Sequence, residues 1–272
     1  MRSSTGLRVF AMSTNVTLLS TTQSEWIKFR TVRSTIMGVL VTALLTIGLG
    51  ALITIAVRGH WNSMGSVQRL TFDPVSASLG GILFAQLAVG VIGTLFITSE
   101  YAAGAIRTTL AAVPNRLTLI AGKLIVLVAS IFVVTEVVCF ITFLMGQAIF
   151  AGVVPTASLS NSTVLRAVIF SGVYLTLLSV LGFALGLILR QSAACISTFV
   201  SLLLIVPIIS IFLPQSWQQT ISKYELSDIG HAMTSVSGAS GDFGPWGALA
   251  LLVTYVVVVL GVGAALFQRR DT

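Results

Sequence analysis

Charge is what this sequence has least of. Asp, Glu, Lys and Arg make up 8% of its 272 residues and hydrophobic residues 56%, whereas an ordinary soluble domain carries roughly 25% charged residues. That scarcity excludes a water-soluble fold. Acids are rarer still, eight against fifteen Lys and Arg. The two cysteines, Cys139 and Cys195, stand far apart in apolar sequence, which excludes a disulfide framework or a paired metal site and leaves them as small apolar residues. His60 and His231 have no metal-ligand spacing around them. The first fifteen residues lack the apolar run of a cleavable signal peptide. With Arg2, Arg8 and many Ser and Thr, they are expected to form a loose cytoplasmic leader (1–15). No phosphate loop of the form G-x-x-x-x-G-K-[ST] occurs: the nearest fragment, Ala121-Gly122-Lys123-Leu124, lacks the earlier Gly and the following Ser or Thr. ATP hydrolysis by that route is excluded.

What fills the chain instead is apolar blocks of about the ~20 residues that cross a bilayer. Six stretches qualify, over 36–57, 79–98, 119–150, 166–189, 193–213 and 248–267. The third exceeds what a bilayer needs, so part of it should tilt or project, with Lys123 at its inner end. Placing both termini inside leaves only Arg58, Arg69, Arg166 and Lys223 outside and the other eleven of the fifteen basic residues inside, the bias that sets topology. The net charge of +7 and pI near 10.1 follow from that bias and need no nucleic-acid partner. The expected fold is therefore all-α and integral to the membrane: a single domain over 16–272, N-in and C-in. Inside acids amount to Glu25, Glu100 and Asp271, poor provision for the carboxylates and magnesium of phosphoryl transfer. An enzyme is not expected.

Three loops carry the remaining information. Before the first span, residues 16–34 interleave Trp26, Ile27, Phe29 and Val32 with Lys28, Arg30 and Arg33. This suits either an amphipathic helix on the inner leaflet or a charged flank that fixes the span. The cytoplasmic loop over 99–118 is rich in Ala and Leu, and Pro114 turns it. A short helix there would present Ile106 and Leu110 to a soluble partner, although Glu100 and Arg107 on such a helix could equally be a solvated face. Outside, 214–246 begins like a short interfacial helix and continues as Gly- and Ser-rich loop.

Glu136 falls deep within the third span, where an ionised acid costs several kcal/mol. It lines a translocation path for a cationic or hydroxylated substrate, or it bonds across to a neighbouring helix; its residues do not choose between these. Gly182-x-x-x-Gly186 permits close helix packing and is weak evidence for a seam between copies. Pro207 should kink span five.

The run Glu100-Tyr101-x-x-Gly104-x-Ile106-Arg107-Thr108, followed by Pro114-x-Arg116 and Lys123, resembles the cytoplasmic loop of type-2 ABC transporter permeases, especially actinobacterial ones. Ser24-Glu25-Trp26-x-Lys28-x-Arg30-Thr31 is similar to that family's amphipathic elbow. The resemblance implies that Glu100, Tyr101, Gly104, Ile106 and Arg107 belong to a coupling helix gripped by a separate cytoplasmic ATP-binding subunit. Trp26, Lys28, Phe29, Arg30 and Arg33 would form the elbow, and 214–246 external re-entrant helices. It also implies a second permease copy, identical or a paralogue, ATP and magnesium on the partner alone, and an exporter in a bacterial plasma membrane. Two readings compete with it: an ion-gradient-driven carrier using Glu136, although no matched halves are visible, and a membrane anchor that moves nothing.

Overall fold

The computed structural model describes residues 17–113, 115–236 and 243–269; the leader expected over 1–15 lies outside them. All regular structure among the described residues is helical. The elements are α1 (Leu18–Thr31), α2 (Arg33–Ser63), α3 (Ser66–Leu70), α4 (Pro74–Ser78), α5 (Ile82–Ala102), α6 (Ala105–Ala112), α7 (Arg116–Phe150), α8 (Ser162–Leu189), α9 (Ser192–Ser210), α10 (Gln215–Ile221), α11 (Leu226–Thr234) and α12 (Pro245–Arg269). Six of them, α2, α5, α7, α8, α9 and α12, are long and apolar enough to cross a membrane, as the six apolar blocks predicted. Most begin or end several residues from where apolar content alone placed them, because capping residues rather than hydropathy set the ends. Asn115 accepts from the Leu117 and Thr118 amides to start α7, and Asn161 accepts from Thr163 to start α8.

The chain runs up and down through these six helices. α1, α6, the α8–α9 turn and the end of α12 share one end of the bundle, called here the α1 end; α3, α4, α10 and α11 share the far end. α8 is the central helix. It packs against α5, α7, α9, α11 and α12, and its core is continuous from Val164 through Leu187. The peripheral helices α2, α9 and α12 turn Leu40, Leu44, Ile208, Ile209, Val257 and Val258 outward, a surface suited to hydrocarbon.

α5 and α8 approach until their backbones touch. A β-carbon on Gly93 would overlap the Ser179 carbonyl, and one on Gly182 the Gly90 carbonyl. Thr94 also donates its hydroxyl to the Gly182 carbonyl at 3.3 Å. The Gly182-x-x-x-Gly186 pattern is thereby used inside the chain, with Ile97 and Thr98 against Gly186, and not between copies: where lipid replaces water, small residues are what bring helices close.

Two π turns mark departures from ideal helix. The one in α9, Ser201–Ile205, precedes Pro207, which has no N–H for the carbonyl one turn back. That carbonyl, Leu203, is approached at 3.5 Å by the Ser227 hydroxyl. The helix widens into a π turn just ahead of the missing bond. At the far end, cations are satisfied by backbone: Arg58 donates to the Ile149 carbonyl at 2.6 Å, and Arg166 to Met233 and Ser235 at 2.9 and 2.7 Å. The segment over 214–246 holds two helices, α10 and α11, where its residues alone suggested one short helix and the resemblance implied several; residues 237–242, in its Gly- and Ser-rich half, lie outside the described residues. α11 seats Leu226, Ile229 and Met233 in the core, with the Tyr174 hydroxyl donating towards Gln86 Oε1 at 2.6 Å and the Leu226 carbonyl at 3.2 Å.

Gly93→Ala should force α5 off α8 and lower stability by about 1–3 kcal/mol, read as a lower thermal unfolding midpoint in detergent. Gly261→Ala, whose surroundings are open, should leave the midpoint unchanged.

Candidate functional site

Four charged side chains from three elements meet at the α1 end. α1 starts at a capping box on Thr17 and Ser20 and stops at Val32, whose extended backbone breaks it from α2. Its inward face is Thr21, Glu25 and Phe29, while Leu18, Leu19, Trp26 and Ile27 are exposed. The buried stripe of α1 is thus partly polar, and its apolar residues lie mostly on the other side. Gly122 lets the helix settle, since a β-carbon there would come within 2.8 Å of Thr21 Cγ2. The approach brings Glu25 to Lys123.

Lys123 Nζ donates to Glu25 Oε2 at 2.7 Å and Glu100 Oε1 at 2.8 Å; Lys28 Nζ donates to Glu25 Oε1 at 2.8 Å and the same Glu100 oxygen at 2.9 Å. The side chains of Lys123 and Glu25 are each 1% exposed, Glu100 12% and Lys28 40%. Lys123 also stands over the Phe96 ring, 5.1 Å from its centroid, and Phe96 meets Phe29 edge to face at 5.8 Å. Two cations and two anions close a neutral ring, the arrangement under which buried charge is tolerated. Burial works against the charge of Lys28, but the hydrogen bonds and attraction of Glu100 and Glu25 outweigh it and raise its pKa above the usual 10.5. Its contribution is therefore fully present at neutral pH and is lost only as pH rises through that raised value. A cleft of about 470 Å³ opens beside the ring, lined by Lys28, Thr35, Phe96, Glu100 and Thr108 among others.

The turn from α5 into α6 depends on Gly104, whose φ of +66° is one that a β-carbon disfavours. Ile106, expected on a partner-facing side, is instead 5% exposed in a core with Phe29, Phe96, Leu119 and Ile120, and Leu110 packs partly against it. α6 turns its apolar stripe inward, so its exposed residues are Thr108, Ala111 and Ala112. Arg107 is in α6, but its side chain, like Pro114, lies outside the described residues. Arg116 holds the loop to the end of α12, donating to the Phe267 and Gln268 carbonyls at 2.8 and 3.0 Å.

Tyr101 is half-buried beneath the Arg190 guanidinium, 5.4 Å from the ring centroid. Arg190 turns α8 into α9 and is the one non-glycine with positive φ, 58°, among the described residues, a conformation costing about 1–2 kcal/mol. Its Nε and Nη2, the Tyr101 hydroxyl and Glu100 Oε2 are shielded from solvent and have no hydrogen-bond partner.

Glu136 lies within α7, away from this end. Its carboxyl rests flat on α8, where a β-carbon on Gly172 would come within 2.5 Å of Glu136 Cδ, and both of its oxygens are shielded without a partner. The Gly172 carbonyl beside it already accepts from Thr135 and Thr176 at 3.1 and 2.8 Å. Of the two alternatives the sequence left open, the bond across to a neighbouring helix is not made.

The elbow and loop residues Lys28 and Glu100 are brought together, with Phe29 beneath them; Trp26, Arg30 and Arg33 stay exposed, with Arg30 5.9 Å over the Trp26 ring. Glu25 and Arg190 carried no assignment from sequence. One clue to Glu25 was available: few acids stand on that side of the chain, so each needs a stated counter-charge. Among the described residues no group of three or more His, Cys, Asp or Glu could hold a metal ion, and Cys139 and Cys195 are free and buried.

Residues 62–272 match the profile of a protein family described as of unknown function, DUF2705. The match takes in Glu100, Lys123, Glu136 and Arg190 and leaves out α1. No curated protein matches the chain.

Lys123→Met leaves two carboxylates sharing one partly exposed lysine and should cost about 3–5 kcal/mol. The double variant Glu25→Leu/Lys123→Met keeps the Lys28–Glu100 pair and should recover part of that loss in a thermal unfolding cycle. Additive losses would show that the two side chains are not coupled.

Proposed function

We propose that this chain, which belongs to the DUF2705 family, is the membrane-spanning subunit of an ATP-driven exporter whose ATP and magnesium are bound by a separate cytoplasmic subunit. The observation that carries the reading is the short helix α6, set on the Gly104 turn directly after Glu100 and joined by that residue's ion pairs to α1 and α7. A partner that displaces α6 pulls on the end of α5, and Lys28 and Lys123 pass the movement to α1 and α7. Glu100 thus acts inside the chain, as the link between the docking helix and the spans, and the exposed small residues of α6 meet the partner's groove.

On this reading the α1 end is cytoplasmic, in a bacterial plasma membrane, with both termini inside as the distribution of Lys and Arg supports. α1 lies at headgroup depth, its exposed Leu18, Leu19, Trp26 and Ile27 towards lipid and Arg30 and Arg33 beside anionic headgroups. α10 and α11 cap the outer exit. A second copy, identical or a paralogue, completes the pathway. The chain is not itself an enzyme, and nucleic acid is no part of the reading.

The test is recovery of the tagged chain from its native membrane in mild detergent. An ATP-binding subunit should copurify at near-equal stoichiometry, and Arg107→Glu should abolish its recovery while the spans remain folded. Recovery of this chain alone would overturn the reading.

A second reading, a carrier driven by an ion gradient, is favoured by the two unpartnered oxygens of Glu136, which neither protonation state satisfies within the chain. It expects uptake into vesicles to follow an imposed proton gradient without ATP and to be lost in Glu136→Gln. The exporter expects the reverse energy dependence.

A further inference from the structure

We propose that Arg190, stacked on Tyr101, is the receptor for a carboxylate side chain of the ATP-binding subunit. The proposal rests on the reading that such a subunit docks at the α1 end, and it adds a second contact beside α6.

Nε and Nη2 stand on one edge of a guanidinium and form the fork that donates to both oxygens of a carboxylate. Both are shielded from solvent and meet no acceptor. The Tyr101 hydroxyl, on the ring that the guanidinium covers, is a third unmet group and a further donor to the same anion. Within the described residues, every ion pair involves Glu25 or Glu100; lysine holds Glu100 through Oε1 alone, and its Oε2 is shielded and makes no bond to Arg190. The complement has to come from elsewhere. A phosphate would call for more cationic donors than one fork; the neighbouring Arg116 is held by the Phe267 and Gln268 carbonyls, and a single planar fork fits a single planar acid.

Position supports a docking role. Tyr101 stands four residues before Ala105, where α6 begins, so the fork borders the surface that the partner covers. The two nitrogens are shielded in the isolated chain, but Arg190 as a whole is only half-buried, and it sits at a hairpin held in the left-handed region. Docking uncovers the guanidinium edge as the acid arrives. Arg190 is thereby a sensor of docking on α8, the central helix, whereas α6 reports through α5.

The experiment is cross-linking of the detergent-extracted complex with a water-soluble carbodiimide, which joins an amine to a carboxylate in contact with it. In Arg190→Lys, mass spectrometry should find position 190 linked to an Asp or Glu of the ATP-binding subunit. Arg190→Gln should lower the amount of copurifying subunit about tenfold or more, the loss expected for charge-assisted hydrogen bonds. Arg190→Gly removes both the guanidinium and the strain and keeps the hairpin, so it should lose the subunit equally, which separates docking from misfolding. Equal recovery from the wild type, Arg190→Gln and Arg190→Gly would overturn the proposal while leaving the exporter reading standing. So would a cross-link to Asp271 of the same chain. Absence of any ATP-binding subunit from the wild type would overturn both.

Discussion

Lys123 carries a full positive charge to a place that water does not reach, and it is tolerable there because two carboxylates meet it at 2.7 and 2.8 Å. Removing either acid would leave charge uncompensated in a low dielectric, which is far more costly than never having buried the group. The requirement for complete pairing holds α1 against α7 and the end of α5 against both. The segment before the first span is consequently part of the fold rather than a loose flank.

Around that polar knot the spans rely on contacts of another kind. α5 and α8 meet through glycines, backbone to backbone, and dispersion rather than the hydrophobic effect holds them, since lipid is as apolar as the side chains it would replace. The pair makes a stiff centre, while α2, α9 and α12 present most of their surface outward. Motion imposed at the α1 end should therefore pass along α5 and α8 as rigid rods. Both proposed contacts with a partner, through α6 and through Arg190, lie at the ends of these two helices.

How far the sequence could be read depended on whether a feature is local. Six spans were legible because hydrocarbon thickness demands a run of apolar residues, whatever the neighbours. A helix before Pro114 was legible for the same reason, since a stretch of good helix formers acts over a few residues, but its start was not: Glu100 to Arg107 read as one helix, whereas Glu100 and Tyr101 end α5 and α6 begins at Ala105 after the left-handed Gly104. The direction α6 faces was not. Ile106 and Leu110 share one side of any helix, but whether that side meets a partner or the chain's own core depends on Phe29, Leu119 and Ile120, which come from distant segments.

Composition and hydropathy by themselves determined the class of molecule: an all-helical chain with six helices long and apolar enough to cross a membrane. Only the tertiary structure decided which charges pair, because Glu25 and Lys123 are 98 residues apart and no spacing rule connects them. It also decided that Gly182 and Gly186 serve an internal contact, that Glu136 rests on Gly172 without a partner, and that Arg190 takes a left-handed turn. Each of these depends on which surfaces the packed helices bring into contact, and a linear pattern carries no record of distance in space.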